Sequence, residues 1–172
     1  MKVKDVMTNN PRFCGPKDTL AQVVESMWEG ECGILPIVDR TNRVTGVITD
    51  RDVALGVWRK DRAPRDIRVD ELPLARLYTC ATTDDVDDAL RIMRRALVRR
   101  LPIIDENETL VGIISMDDLA LHVKELEGTK NGLTAQKVAE AIKAICSPRK
   151  PNIASGIGLP RRLMPVRRPV HR

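Results

Sequence analysis

The feature that most constrains this chain is an internal repeat. Leu35-Pro36-Ile37-Val38-Asp39, followed by Gly46-Val47-Ile48-Thr49-Asp50-Arg51-Asp52, returns as Leu101-Pro102-Ile103-Ile104-Asp105, followed by Gly112-Ile113-Ile114-Ser115-Met116-Asp117-Asp118. Both blocks are displaced by 66 residues, and the register extends outward without a gap. Val3 falls on Val69, Cys14 on Cys80, Leu20 on Val86, Met27 on Met93 and Leu55 on Leu121. A period held that long means two copies of one supersecondary unit. One such unit has too little core to stand alone, so the halves are expected to bury apolar faces against each other.

The core must be aliphatic, because aromatic residues are 2% of a chain that is 42% hydrophobic. No apolar run approaches the ~20 residues needed to cross a bilayer. No charged, apolar and small-residue series of a signal peptide opens the chain. Four cysteines without a Cys-x-x-Cys pair argue against a zinc or redox motif, and we expect no metal. Cys14 and Cys80 read as small apolar strand residues. The expected location is cytoplasmic.

The formal charge of +5 conceals a division. From residue 128 onward ten Lys or Arg face one acid, Glu140, whereas residues 1–127 hold 19 basic and 23 acidic side chains. The basic character belongs to the tail and not to the repeat body.

Residues 3–7 read as one helical turn, ended by Asn10-Pro11. Residues 12–14 form a short strand. With Asp18 as N-cap, Leu20, Val23, Val24 and Met27 form the apolar stripe of a helix that Gly30 ends. Residues 34–38 and 44–48 are strands, and a second helix runs from about Asp50 to Arg59. The second copy follows suit. Its strands are 78–81, 101–105 and 110–114, and a helix capped by Asp84 carries Val86, Ala89, Leu90, Met93 and Leu97. A closing helix spans 117–125. Residues 61–74 link the units. The resulting domains are 1–66 and 67–127, then a hinge and amphipathic helix over 128–146 and a basic, proline-rich tail over 147–172. The tail is expected to stay unordered without a partner, because it offers little apolar surface to bury.

In both copies a strand runs into a helix through a hydroxyl residue with an acid three places on: Thr49-x-x-Asp52 and Ser115-x-x-Asp118. A Ser or Thr N-cap with an acid at N3 is the ordinary start of a helix. The same arrangement suits a nucleotide. Free N–H groups face a phosphate, the hydroxyl adds a donor, and the carboxylate accepts from two ribose hydroxyls. The two readings are compatible. His122 and His171 have no nucleophile or metal-ligand neighbour at useful spacing, and nothing supports catalysis. Trp28 and Trp58 align with Arg94 and Lys124, so the repeat core does not require them. They mark either an interface or side chains tucked under the linker.

Two units of Leu-Pro-Ile-hydrophobic-Asp and then Gly-x-Ile-Thr/Ser-x-x-Asp resemble a tandem pair of cystathionine-β-synthase-type (CBS) domains, a Bateman module. The resemblance covers residues 3–125; 128–172 lie outside it. It implies an α/β (α+β) fold of two β-α-β-β-α repeats related by a pseudo-twofold axis, with the strand sheets facing each other, followed here by a C-terminal helix and basic tail. It also implies a homodimer and an adenosyl ligand (AMP, ADP, ATP or S-adenosylmethionine) held between the repeats. Carried over, one cleft joins Thr49, Asp52 and the neighbouring Arg51 to Tyr78, Thr79, Val98, Arg99 and Arg100. The other joins Ser115 and Asp118 to Phe13, Cys14, Cys32, Gly33 and Ile34. Arg99 and Arg100 suit a phosphate by charge-assisted bonds. On this reading the chain is a non-catalytic regulatory module that signals by conformational or dimer rearrangement to a separate effector. Two alternatives stand beside it: a dimeric scaffold with empty clefts, and a nucleic-acid-associated protein acting through its tail. The tail lacks aromatics for stacking on bases, which disfavours the last.

Overall fold

The structure, a computed structural model, describes residues 1–123 and 133–147. The hinge at 128–132 and all of the tail beyond Ser147 lie outside the described residues.

Leu20–Glu29 form α1, Ile34–Val38 and Val44–Thr49 form the antiparallel hairpin β2–β3, and Asp50–Lys60 form α2. In the second copy, Cys80–Ala81 form β4, Val86–Ala96 α3, Arg100–Ile104 β5, Leu110–Ser115 β6 and Met116–Leu121 α4. Ala135–Cys146 form a last helix, α5, with Thr134 as its N-cap. A short strand β1, Thr8–Asn9, precedes them all. The 66-residue period survives in detail. Both hairpins shift register at the same place, Ile37/Val38 and Ile103/Ile104. The left-handed residues Glu31 and Asn42 recur as Leu97 and Glu108.

Helix starts differ by one residue from expectation. Thr19, not Asp18, caps α1, in a reciprocal box with Gln22. Asp18 instead closes the preceding turn by accepting from the Gly15 N–H at 2.8 Å. Its equivalent, Asp84, accepts from the Ala81 N–H at 2.8 Å, and Asp85 holds the N-cap position. A short carboxylate can close the turn or cap the helix, and in both copies the turn takes it. Residues 12–14 supply only a single bridge, Cys14 to Ile37.

The units exchange their lead-in segments. Val3–Asp5, a 3-10 turn, belongs to the core of the second unit. Its equivalent Val69–Glu71, inside the stretch read as a linker, belongs to the core of the first. The Val3 N–H donates to the Asp84 carbonyl at 2.9 Å, and the Val69 N–H donates to the Asp18 carbonyl at 3.0 Å. Val86 N–H meets Met1 O at 3.3 Å, as Leu20 N–H meets Ile67 O at 2.9 Å. Ile67 and Val69 are accordingly buried. The pseudo-twofold passes between the hairpin turns. There Val44 N–H donates to Glu108 O at 3.4 Å and Leu110 N–H to Asn42 O at 3.3 Å, with an Arg43–Thr109 bridge between them.

Two departures break the symmetry. β1 pairs with β6 through Thr8–Ile113 and Asn9–Gly112, giving the four-stranded order β1-β6-β5-β4, whereas β2–β3 stands as a two-stranded sheet. And α5 lies across α3 and α4, adding Val138 and Ala141 to the second core, with Leu133 just before its N-cap. No described helix is long and apolar enough to cross a membrane.

Candidate ligand-binding cleft

Thr49 ends β3 and caps α2; Ser115 ends β6 and caps α4. In the first copy one carboxylate oxygen, Asp52 Oδ2, accepts from the Thr49 N–H at 2.9 Å and the Thr49 hydroxyl at 2.6 Å. Thr49 Oγ1 accepts in turn from the Asp52 N–H at 3.2 Å. The second copy repeats this at 2.7, 2.7 and 3.1 Å between Ser115 and Asp118. The capping reading therefore holds at both sites. Each box engages Oδ2 alone, so the other oxygen of each carboxylate stays open to a hydroxyl donor.

The surroundings of the two boxes differ. Ser115 and Asp118 line a cavity of about 240 Å³. Cys32 and Ile34 reach it from the first unit, as the sequence proposes, and Gly30, Thr8, Pro11, Arg12, Ile113 and Arg100 complete the wall. Arg100, placed on the sequence in the opposite cleft, lines this one. Its physical reason is register: Arg100 stands directly across the β5–β6 ladder from Ser115. Positions 34 and 100 are equivalent in the repeat and both line this cavity, so it lies where the two units meet. Phe13 points to solvent and Cys14 is buried in the first core. The Gly33 carbonyl accepts from the Asp50 N–H at 3.1 Å on the other side of the Cys32 turn.

Asp52 instead lines a depression of about 70 Å³ with Leu55, Gly56, Arg59, Lys60, Leu72 and Pro73. The structure leaves Tyr78, Thr79, Val98 and Arg99 outside the 240 Å³ cavity. Tyr78 packs on the second core with the Arg76 guanidinium 5.5 Å over its ring, and Val98 packs on the same core. Thr79 is half-buried. Arg99 is exposed and uses its carbonyl to accept from Met116 N–H at 2.9 Å; Arg51 is exposed on α2. Of the lining residues that sequence reasoning missed, Thr8, Pro11, Arg12, Gly30 and Ile113, Arg12 is the charged one. Its equivalent in the repeat is Tyr78, which was included, so the offset itself points to it.

Electrostatics at the cavity come from two guanidinium groups held by carboxylates at its rim. Arg12 meets Glu29 at 2.7 Å and Arg100 meets Asp117 at 3.9 Å. All four side chains are substantially exposed, so each pair is worth ~0–1 kcal/mol and can yield to a stronger anion. Cys14 and Cys80, both buried, serve packing. Burial, followed by the nearby Asp18 charge, pushes the Cys14 thiol up to about 12. Burial and then the Asp84 hydrogen bond raise Cys80 as well.

The family model for the CBS domain matches residues 3–58 and 69–125. The chain belongs to the CBS-domain family. This CBS pair is 30% identical over 145 residues to hypoxic response protein 1 of Mycobacterium tuberculosis, covering 84% of this chain and 94% of that one. The crystal structure of a hypoxic response protein I with two coordinated zinc ions superimposes with a TM-score of 0.65 at 30% identity, over 71% of this chain and 98% of that one. Among the described residues of the present CBS pair, no three His, Cys, Asp or Glu side chains come together as a metal site. CBSX2 in complex with AMP matches with a TM-score of 0.59 at 24% identity, over 72% and 98% of the two chains. The CBS pair of MJ0100 with 5-methylthioadenosine and S-adenosyl-L-methionine matches at 0.60 and 20%, over 73% and 97%.

Proposed function

We propose that this CBS pair is a non-catalytic regulatory module that binds a phosphorylated adenosyl ligand in the cleft built by Ser115, Asp118 and Arg100. The observation that carries this reading is the meeting, in one cavity between the units, of a carboxylate with an open oxygen and two weakly held guanidinium groups. Asp118 accepts from the ribose hydroxyls. Arg100 and Arg12 exchange their rim carboxylates for the phosphate. Cys32, Ile34 and Ile113 give the base an apolar wall. That CBS pairs of like fold are crystallised with AMP or with S-adenosyl-L-methionine supports the ligand class. The cavity of about 240 Å³ is below the ~300–1,000 Å³ of typical ligand sites, so the units part on binding, and that motion is the signal. Its size is bounded by the ligand's difference in affinity between the two states. A second copy or a separate effector reads it. A dimer would bury Leu55, Trp58 and Leu121, which stand exposed.

Calorimetric titration with AMP, adenosine and S-adenosylmethionine tests the reading, and saturable binding of none would sink it. Removing one hydrogen bond to a charged group costs ~1.5–3 kcal/mol, or roughly 10- to 150-fold in affinity. Arg100→Ala should lose that much for AMP and little for adenosine. Asp118→Ala should weaken both, and Asp52→Ala neither.

A further inference from the structure

A groove of about 770 Å³ runs along the outer face of the first unit and adjoins the adenosyl cleft at Gly30 and Cys32. Its floor is Val24, Met27 and Trp28 of α1 and Val53 of α2. Trp28 is 80% exposed, a large apolar area to leave in water. The rim is acidic: Glu29, Glu31 and Asp50 line it, and no lysine or arginine does. Arg12 answers Glu29 at 2.7 Å, whereas Glu31 and Asp50 form no ion pair among the described residues. The equivalent face of the second unit is covered by α5, where Arg94, the counterpart of Trp28, meets Glu140 at 4.0 Å.

We propose that this groove docks the chain's own C-terminal segment, residues 148–172. That segment carries seven Arg or Lys and no acid, interleaved with Ile153, Ile157, Leu159, Leu163, Met164 and Val166. It therefore offers what the groove lacks on both counts, cations for the rim and aliphatic side chains for the floor. Length allows it. The 25 residues beyond Ser147 span up to ~80 Å extended, against a radius of gyration of ~16 Å for a compact chain of this size. The five prolines in the segment, which lack a donor and restrict φ, favour an extended occupant held by side chains over another helix like α5.

The experiment uses the full chain with Trp58→Phe, which leaves Trp28 as the sole tryptophan. Trp28 emission should be shifted to shorter wavelength, and its quenching by acrylamide should be weaker than its four-fifths exposure predicts. Raising the salt concentration should reverse both effects. So should Arg161→Glu, Arg162→Glu, Arg167→Glu and Arg168→Glu combined. Adding Glu31→Lys and Asp50→Lys to that variant should restore the protection. Trp28 quenched as freely as an exposed tryptophan in the parent protein would overturn the proposal. So would protection that ignores the four tail substitutions, a readout that needs no change in the folded body. Protection that disappears on dilution would assign the groove to a second copy instead, and would equally overturn it.

Discussion

The outer helical faces of the two units started from one sequence pattern and have diverged. On the second unit, Leu90 is 5% exposed beneath α5, and Lys137–Asp87 at 2.8 Å fastens the cover. On the first, the equivalent Val24 is 46% exposed and nothing among the described residues lies over it. The inward-facing positions did not diverge: Met27 and Met93 are both buried, as are Val53 and Leu119. A repeat thus holds its core positions in common and differentiates through what each outer face is given to bind. The substitution of Trp28 for Arg94 follows the same division, since an arginine suits a face with an acidic cover and a tryptophan suits an apolar groove.

The sharpest test of that comparison is a matched pair of truncations. Leu90→Ala should cost ~2–5 kcal/mol, as for a buried leucine, whereas Val24→Ala should stay within ~0.5 kcal/mol. Urea unfolding midpoints at unchanged slope measure both. A loss at Val24 as large as at Leu90 would mean that the first face is covered as firmly as the second. Next come the sheet glycines. A Cβ on Gly112 would stand 2.5 Å from the Met7 sulfur and 3.1 Å from the Thr8 carbonyl, where β1 crosses. On Gly46 the nearest atom is Ile37 Cδ1 at 3.3 Å. Gly112→Ala should therefore cost ~1–3 kcal/mol, and Gly46→Ala less. The capping boxes should erase the difference between units: Thr49→Ala and Ser115→Ala should each cost ~1 kcal/mol, because their geometry is the same. Smallest in energy, though easily read, is thiol labelling. Cys146 and half-buried Cys32 should alkylate in the folded protein at pH 8. Cys14, held near 12, has almost no thiolate at that pH and should react only on unfolding, as should Cys80.

Much of this was legible in the residues. The offset of 66 predicted the equivalences, the apolar stripes predicted α1 and α3, and Thr49-x-x-Asp52 predicted a capped helix, because each of these signals is local in sequence. What the offset could not say is which body a segment joins. Val3 and Val69 were matched correctly, yet each lies in the other unit's core, because the exchange depends on pairing with Asp84 and Asp18 across the fold. Arg100 was matched to Ile34 correctly, but its cleft is decided by its ladder partner Ser115, a tertiary fact. β1 is not legible in the sequence because two residues, Thr8 and Asn9, carry no period, and their strand forms by pairing with the edge of β6.

The exchanged lead-ins also set an order of events at the ribosome. Among the described residues the first core draws on 14–74, so it can close once that stretch has emerged. The second core joins Val3 and Val6 to Leu133, Val138 and Ala141. Domains generally fold as units as the chain is made, N-terminal ones first. Here Val3 and Val6 wait for the second unit, Asp84 among it, before they find their partners, and that core is complete only when Leu133, Val138 and Ala141 have followed.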